Sequence, residues 1–268
     1  MPYLETKNGS RTYFEHHRGE KLPMVFIHGW GMSGEYWNSA AEALTASGHG
    51  AILIDHRACG RSDRDFDDLS IDAIASDVEA IVKGSGLDRV ALNGWSLGGA
   101  VAVAAADLLA DKIAGLVLTC AASPRYVQGE DFPHGGTPED VSAIAGAITA
   151  DRAGFFRTLA QGAAAEGANP ALIDWFERGF LASGPRASET LMGLVTLDQR
   201  DMLAGFRFPI LSIGGGKDTI ADPAIAGYAA QCAANGTLLT FEDSGHSPHL
   251  EDPVRYHEAL LSFLGELK

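Results

Sequence analysis

The chain has 268 residues, is 46% hydrophobic and 21% charged, and carries a formal net charge of −15. That length suits one large domain with a substantial core, or two small ones, and the composition is that of a globular chain rather than a disordered or membrane-spanning one. The acidic excess argues against nucleic acid or an anionic membrane surface as a partner. No apolar run reaches the roughly 18 residues that would span a bilayer, and the polar amino terminus has no segment resembling a secretory signal. Cys59, Cys120 and Cys232 are odd in number and far apart. They read as unpaired thiols of a reduced, cytoplasmic protein, and no Cys/His cluster has metal-ligand spacing, so neither a metal nor a cofactor is expected.

Taken in order, the chain opens with two short polar strands at about 4–6 and 12–16. An apolar strand at 24–27 runs into His28-Gly29, a helix follows at 37–47, and a second apolar strand at 51–54 ends at Asp55. Ser70 is placed to cap a helix over 71–83, in which Ile71, Ile74, Val78, Ile81 and Val82 recur at helical spacing. Strand 90–92, helix 97–110 and strand 115–118 continue the alternation. Such alternation implies a mostly parallel sheet flanked by helices.

The rhythm breaks between about 122 and 203, where helical segments at 139–149, 152–165, 171–181 and 188–197 occur without a convincing strand. It returns with strand 209–213, helix 223–234, strand 238–241 and a final helix at 253–267. The reading is an α/β core made of 1–122 and 203–268, interrupted by a helical cap at 123–202 over the carboxyl edge of the sheet.

The strongest chemical signal is Gly94-Trp95-Ser96-Leu97-Gly98-Gly99, directly after a strand and directly before a helix. A serine held on so sharp a turn needs glycines beside it, because Cβ atoms there would collide. The helix that follows points its positive end at the serine. A serine hydroxyl is a poor nucleophile until a base takes its proton. His246, in Asp243-Ser244-Gly245-His246-Ser247-Pro248, lies between the last strand and the last helix and fits that role; His249 shares the spacing. The remaining histidines at 16, 17, 49, 56, 134 and 257 read as surface or loop residues. Asp218, at the end of Gly214-Gly215-Gly216-Lys217-Asp218, fits as the carboxylate behind the histidine. Asp222 competes but precedes Pro223 and reads as a helix N-cap. His28-Gly29-Trp30-Gly31 follows an earlier strand: His28 reads as a loop-shaping residue, and the backbone N–H groups of Trp30 and Leu97 as the two donors an oxyanion needs.

With Ser96, Asp218 and His246 in that chain order, each on a loop after a strand, the sequence resembles the α/β-hydrolase superfamily over essentially its whole length. Asp55-His56-Arg57-Ala58-Cys59-Gly60-Arg61-Ser62 looks like a loop common in these enzymes, with Ala58 where a glycine is usual, and Gly245-His246-Ser247-Pro248 with Glu251 and Pro253 looks like their histidine loop. Within the superfamily, His28 to Trp37, Gly94 to Gly99 and Ala122-Ser123-Pro124 are similar to carboxylesterases of the pimeloyl–acyl-carrier-protein methyl esterase type.

The resemblance implies a serine hydrolase that cleaves a carboxylic ester through an acyl-serine. Lactone opening, carbon–carbon bond hydrolysis and perhydrolysis use the same triad, and a ligand-binding protein on this scaffold is the alternative from another class. From Ser123 to Asp201 the cap carries six arginines, no lysine and eleven carboxylates, a balance of −5. That disfavours an acidic carrier protein as partner and favours a small, uncharged ester or lactone. Trp30, Trp95, Phe155, Trp175 and Phe176 are the expected walls of the substrate pocket.

Overall fold

The computed structural model describes residues 2–6 and 8–267. Its strands are β1 (Tyr3–Glu5), β2 (Arg11–His17), β3 (Lys21–Ile27), β4 (His49–Ile54), β5 (Val90–Trp95), β6 (Ile113–Thr119), β7 (Ile210–Gly215) and β8 (Gly236–Phe241). They form one sheet in the order β1-β2-β4-β3-β5-β6-β7-β8. Only the β1–β2 and β2–β4 pairs are antiparallel; from β4 onward every neighbour is parallel. β4, β5, β6 and β7 are buried at every position, as strands covered on both faces must be.

Several strands outrun the apolar segments that announce them. β5 continues through Asn93 and Gly94 because these still pair with Phe26 and Ile27 on one side and Val117 and Leu118 on the other. The buried Asn93 amide is satisfied by donating to the Tyr256 hydroxyl at 3.0 Å and by accepting from Thr119 Oγ1 at 3.1 Å.

The helices are α1 (Asn38–Ala46), α2 (Ile71–Gly84), α3 (Leu97–Leu109), α4 (Pro138–Ala150), α5 (Arg152–Gly162), α6 (Pro170–Ala182), α7 (Glu189–Thr196), α8 (Arg200–Gly205), α9 (Pro223–Cys232), α10 (Pro248–Glu251) and α11 (Pro253–Glu266). Their starts are written locally. Ser70 Oγ accepts the Ala73 N–H, and Thr137, Asn169, Asp222 and Asp252 each cap a helix whose first residue is proline. α8 and α10 go beyond the sequence reading, being too short to show a helical period. α4 to α8 all lie between β6 and β7, and no helix among the described residues is long and apolar enough to cross a membrane.

The topology fixes where a site can form. After β3 the chain builds β4 on one side, then crosses back to place β5 on the other. The loops leaving β3 and β5 therefore diverge at a switch point, where open α/β sheets leave a crevice at their carboxyl edge. The loops after β6, β7 and β8 line up beside it.

Candidate active site

Ser96 stands between β5 and α3 with φ 56° and ψ −123°, a conformation that is strained for a side-chain-bearing residue. Three backbone bonds hold it there: its N–H donates to Thr119 O at 3.0 Å, and its carbonyl accepts from Gly99 N at 2.8 Å and Ala122 N at 2.9 Å. The flanking glycines are required by contact. A Cβ at Gly94 would overlap the Gly98 carbonyl, and one at Gly98 would overlap the carbonyl of Ile27.

Asp218 and His246 come together with both side chains buried. His246 Nδ1 and Asp218 Oδ2 are 2.7 Å apart. The other carboxylate oxygen, Oδ1, accepts the N–H groups of Ile220 at 2.8 Å and Ala221 at 2.9 Å. One oxygen orients the imidazole while the other locks the carboxylate's rotation. The His246 backbone is pinned as well, because the Trp95 indole N–H donates to its carbonyl at 2.7 Å. Ser96 and His246 face one cavity.

The residues that share these spacings have different surroundings. His249 lies between the rings of Trp37 and Trp95, at 4.3 and 4.7 Å, and neither of its ring nitrogens has a hydrogen-bond partner. Burial pushes its pKa well below the usual histidine range. Asp222 caps α9 through Ala224 N at 2.9 Å. His28 shapes its loop: Nδ1 donates to Gly29 O at 2.6 Å, and Nε2 accepts the His56 N–H at 2.8 Å. Burial pushes His28 down to about 4.

His49 corrects the expectation of a surface or loop position, whereas His56 does lie on the loop after β4 but is buried there. His56 is buried and stacks on His28 at 3.8 Å, while His49 is buried within β4 with Nδ1 at 2.8 Å from Leu22 O. At His49 a neutral imidazole packs as a flat, largely apolar ring once its donor is used, while at His56 the stack on His28 covers a ring whose Nε2 has no hydrogen-bond partner.

The cavity in front of Ser96 measures about 70 Å³. One side is formed by Trp30, Trp95, Leu97, Ala122 and Ile220, and the other includes Val141, Ile144, Phe155, Leu159, Leu191 and Leu194 from α4, α5 and α7. Apart from His246, the one ionisable side chain on its wall is Tyr126, whose hydroxyl donates to Ile220 O at 2.8 Å and is pushed up to about 12 by burial. The loop carrying Trp30 lies directly against Ser96, since a Cβ on Gly29 would sit 3.3 Å from Ser96 Cβ. Trp30 also reaches the segment between α6 and α7, its indole N–H donating to Ala187 O at 2.8 Å.

Of the expected pocket walls, Trp30, Trp95 and Phe155 face this cavity; Trp175 and Phe176 do not. Trp175 stacks on Tyr36 at 4.5 Å and donates its indole N–H to Glu35 at 3.1 Å, in a separate cleft on the outer side. Phe176 is fully buried between Tyr36 and Trp95. One turn later on the same face of α6, Phe180 reaches the cavity in their place. The aliphatic wall was not singled out in the sequence, although its spacings are there: Val141 and Ile144, Leu159 beside the expected Phe155, and Leu191 and Leu194 each recur three or four residues apart.

Cys120 is a second feature that the sequence left unassigned. It is buried at the end of β6 with φ 42°, and its Sγ lies within 4.8 Å of ligand atoms of Asp218 and His246. Burial, reinforced by the charge of Asp218, pushes its thiol well above the usual range, so it stays protonated. Among the described residues this is the one cluster whose donors could be asked to hold a metal, and its imidazole and carboxylate are already engaged with each other.

A family model described as the alpha/beta hydrolase fold matches residues 23–253. Among curated relatives, the chain is 28% identical to the AB hydrolase superfamily protein YisY of Bacillus subtilis, covering 97% of this chain and 98% of the relative. It is 30% identical to the pimeloyl-[acyl-carrier protein] methyl ester esterase of Sodalis glossinidius, covering 90% of this chain and 92% of the relative. Among solved structures, an esterase from Exiguobacterium antarcticum superposes with a TM-score of 0.93 at 25% identity, covering 98% of this chain and 99% of that one.

Proposed function

The chain belongs to the α/β-hydrolase fold family, and from that premise we propose that it hydrolyses small, neutral carboxylic esters or lactones through an acyl-serine on Ser96. The observation that carries this reading is the strained Ser96 turn sharing one cavity with a His246 whose ring is held by Asp218.

In this reading His246 Nε2 takes the Ser96 hydroxyl proton as Oγ adds to the ester carbonyl carbon. The N–H groups of Leu97 and Trp30 stabilise the resulting oxyanion. The bond to the alcohol oxygen then breaks, and the alcohol leaves with the proton that His246 received. Water, deprotonated by the same imidazole, adds to the acyl carbonyl; the acid departs and the proton returns to Ser96. Asp218 orients the imidazole throughout and does not itself accept the proton.

The cavity supports a narrow substrate class. About 70 Å³ is small beside the ~300–1,000 Å³ of sites for drug-sized ligands, and its walls offer no charged partner to an anionic acyl group. An acidic carrier protein is disfavoured too. Arg157 is paired with Asp174 and Glu177, Arg186 with Glu189, and Arg200 with Asp131 and Asp198, so these cap guanidiniums are already neutralised. We take 123–202 as the cap that shapes this pocket. The free thiols Cys59, Cys120 and Cys232 support a reducing, cytoplasmic setting.

Labelling with a fluorophosphonate, read by intact mass beside turnover of p-nitrophenyl acetate, tests the reading. The wild type should gain one adduct and turn over the ester, whereas folded Ser96→Ala should do neither. A labelled Ser96→Ala protein, or one retaining a tenth of wild-type kcat, would reject Ser96 as the nucleophile.

A further inference from the structure

A carboxylate ties the loop carrying His246 to the cap. Glu251 is the last residue of α10, and its side chain reaches back over its own short helix. Oε1 accepts the N–H of Ser247 at 3.1 Å, and both oxygens lie 3.0 Å from the N–H of Gly245. These are the two residues that flank His246. Oε2 also accepts the N–H of Ala165, in the cap connection between α5 and α6, at 2.7 Å. The same connection is gripped a second time, because Ser247 Oγ donates to Ala163 O at 2.7 Å.

The packing is close enough to dictate sequence. A Cβ on Gly245 would fall 2.5 Å from Ala164 C and 2.5 Å from Ala165 N, so only glycine lets the cap backbone lie against the histidine loop. Backbone donors on three residues from two regions thus converge on one carboxylate, an arrangement in which charge-assisted bonds are short and directional. The Trp95 indole also holds the His246 carbonyl, so the backbone at 245, 246 and 247 is bonded at each residue.

From this geometry we infer that Glu251 is a positioning residue for His246, clasping the histidine loop to the cap so that the two keep one relative placement. The inference rests on the reading of His246 as the base. It also gives the cap a role beyond walling the pocket: a cap displaced from Ala163–Ala165 would release the loop on which the imidazole stands.

The experiment compares wild type with Glu251→Gln and Ser247→Ala, all at a temperature where circular dichroism shows each fully folded. Glutamine keeps the size of the side chain but turns an –NH₂ toward backbone N–H groups, which breaks the clasp. Small displacements of catalytic groups are costly, so Glu251→Gln should lower kcat on p-nitrophenyl acetate by about tenfold or more, while KM stays within about twofold. Ser247→Ala, which removes only the second grip, should lower kcat by about threefold and serves as the readout if Glu251→Gln does not fold.

The decisive signal is independent of turnover. The far-downfield proton resonance of the His246 Nδ1–H in its bond to Asp218 should shift or broaden in each folded variant. An unchanged resonance would overturn the inference whatever kcat does, and so would a kcat within twofold of wild type in both variants. Failure of the ester reading looks different: wild type would show no turnover and no fluorophosphonate adduct, yet the resonance would still respond to Glu251→Gln.

Discussion

Asp218 and Leu194 both stand near the cavity in front of Ser96, and they are held in different ways. Around Asp218 each carboxylate oxygen has its own donors, the N–H groups of Ile220 and Ala221 on one and the His246 imidazole on the other. Leu194, like Ile144 and Leu159, contributes only apolar surface to a wall assembled from the cap helices α4, α5 and α7. Directional bonds tolerate displacement poorly, while an apolar wall tolerates exchange as long as volume is conserved. The core loops should therefore govern whether the reaction occurs, and the cap should govern which acyl group fits.

The largest effect separates the two carboxylates of the acid loop. Asp218→Asn should lower kcat by about 10⁴-fold, because the amide can present the wrong group to His246 Nδ1. Asp222→Asn should cost less than about threefold, since asparagine caps α9 equally well. The reverse ranking in steady-state kinetics would relocate the orienting carboxylate.

A second contrast concerns histidines that the mechanism leaves unused. Burial depresses the pKa of His28 to about 4 and pushes those of His56 and His249 well below the usual range. The unfolded chain binds these protons near pH ~6.5. Between about pH 6.5 and 4 the unfolded state therefore holds more protons than the folded state, and stability falls as pH drops. The urea midpoint should be lower at pH 5 than at pH 7.5. His249 has no hydrogen-bond partner to lose, so His249→Phe should stabilise the protein by about 1 kcal/mol and narrow that gap. An unchanged gap in the variant would mean that His249 is not held neutral by the fold.

The smallest effect tests a departure from the family pattern. Ala58 sits at φ 61°, in the left-handed region where the usual glycine would be unstrained. Ala58→Gly should raise stability by up to about 1 kcal/mol without altering kcat. A destabilised variant would show that the Ala58 methyl, packed with Cys59, Phe66, Leu69 and Ala187, outweighs the backbone strain.

How much of this was legible in the sequence follows the same division. The strand–helix order and the loops bearing Ser96, Asp218 and His246 could be read because each depends on local chemistry: apolar runs, caps and glycines at close approaches. The helix starts at Pro223 and Pro253 were legible for the same reason, and those at Pro138 and Pro170 were read one residue late. Cap side chains were not. Whether Phe176 or Phe180 reaches the cavity depends on how α6 is rotated and seated against Tyr36 and Trp95, a tertiary outcome without a local signature. The surroundings of Cys120 and Glu251 were hidden likewise, since Cys120 meets Asp218 and His246 from other loops and Glu251 meets Ala165 across the chain.

The division of labour between core and cap is tested most directly by one series of p-nitrophenyl esters, from acetate to octanoate, assayed with wild type and with Leu159→Ala and Leu194→Ala. Removing a large side chain from the cap wall enlarges the cavity without touching Ser96, Asp218 or His246. The expected result is a kcat/KM on acetate within about threefold of wild type and a gain of about tenfold on hexanoate or longer esters, the scale on which apolar pockets discriminate by chain length. Equal changes on every ester would contradict the account, because the aliphatic wall, and not only the contact at Ala163–Ala165, would then be holding the catalytic geometry rather than measuring the acyl chain.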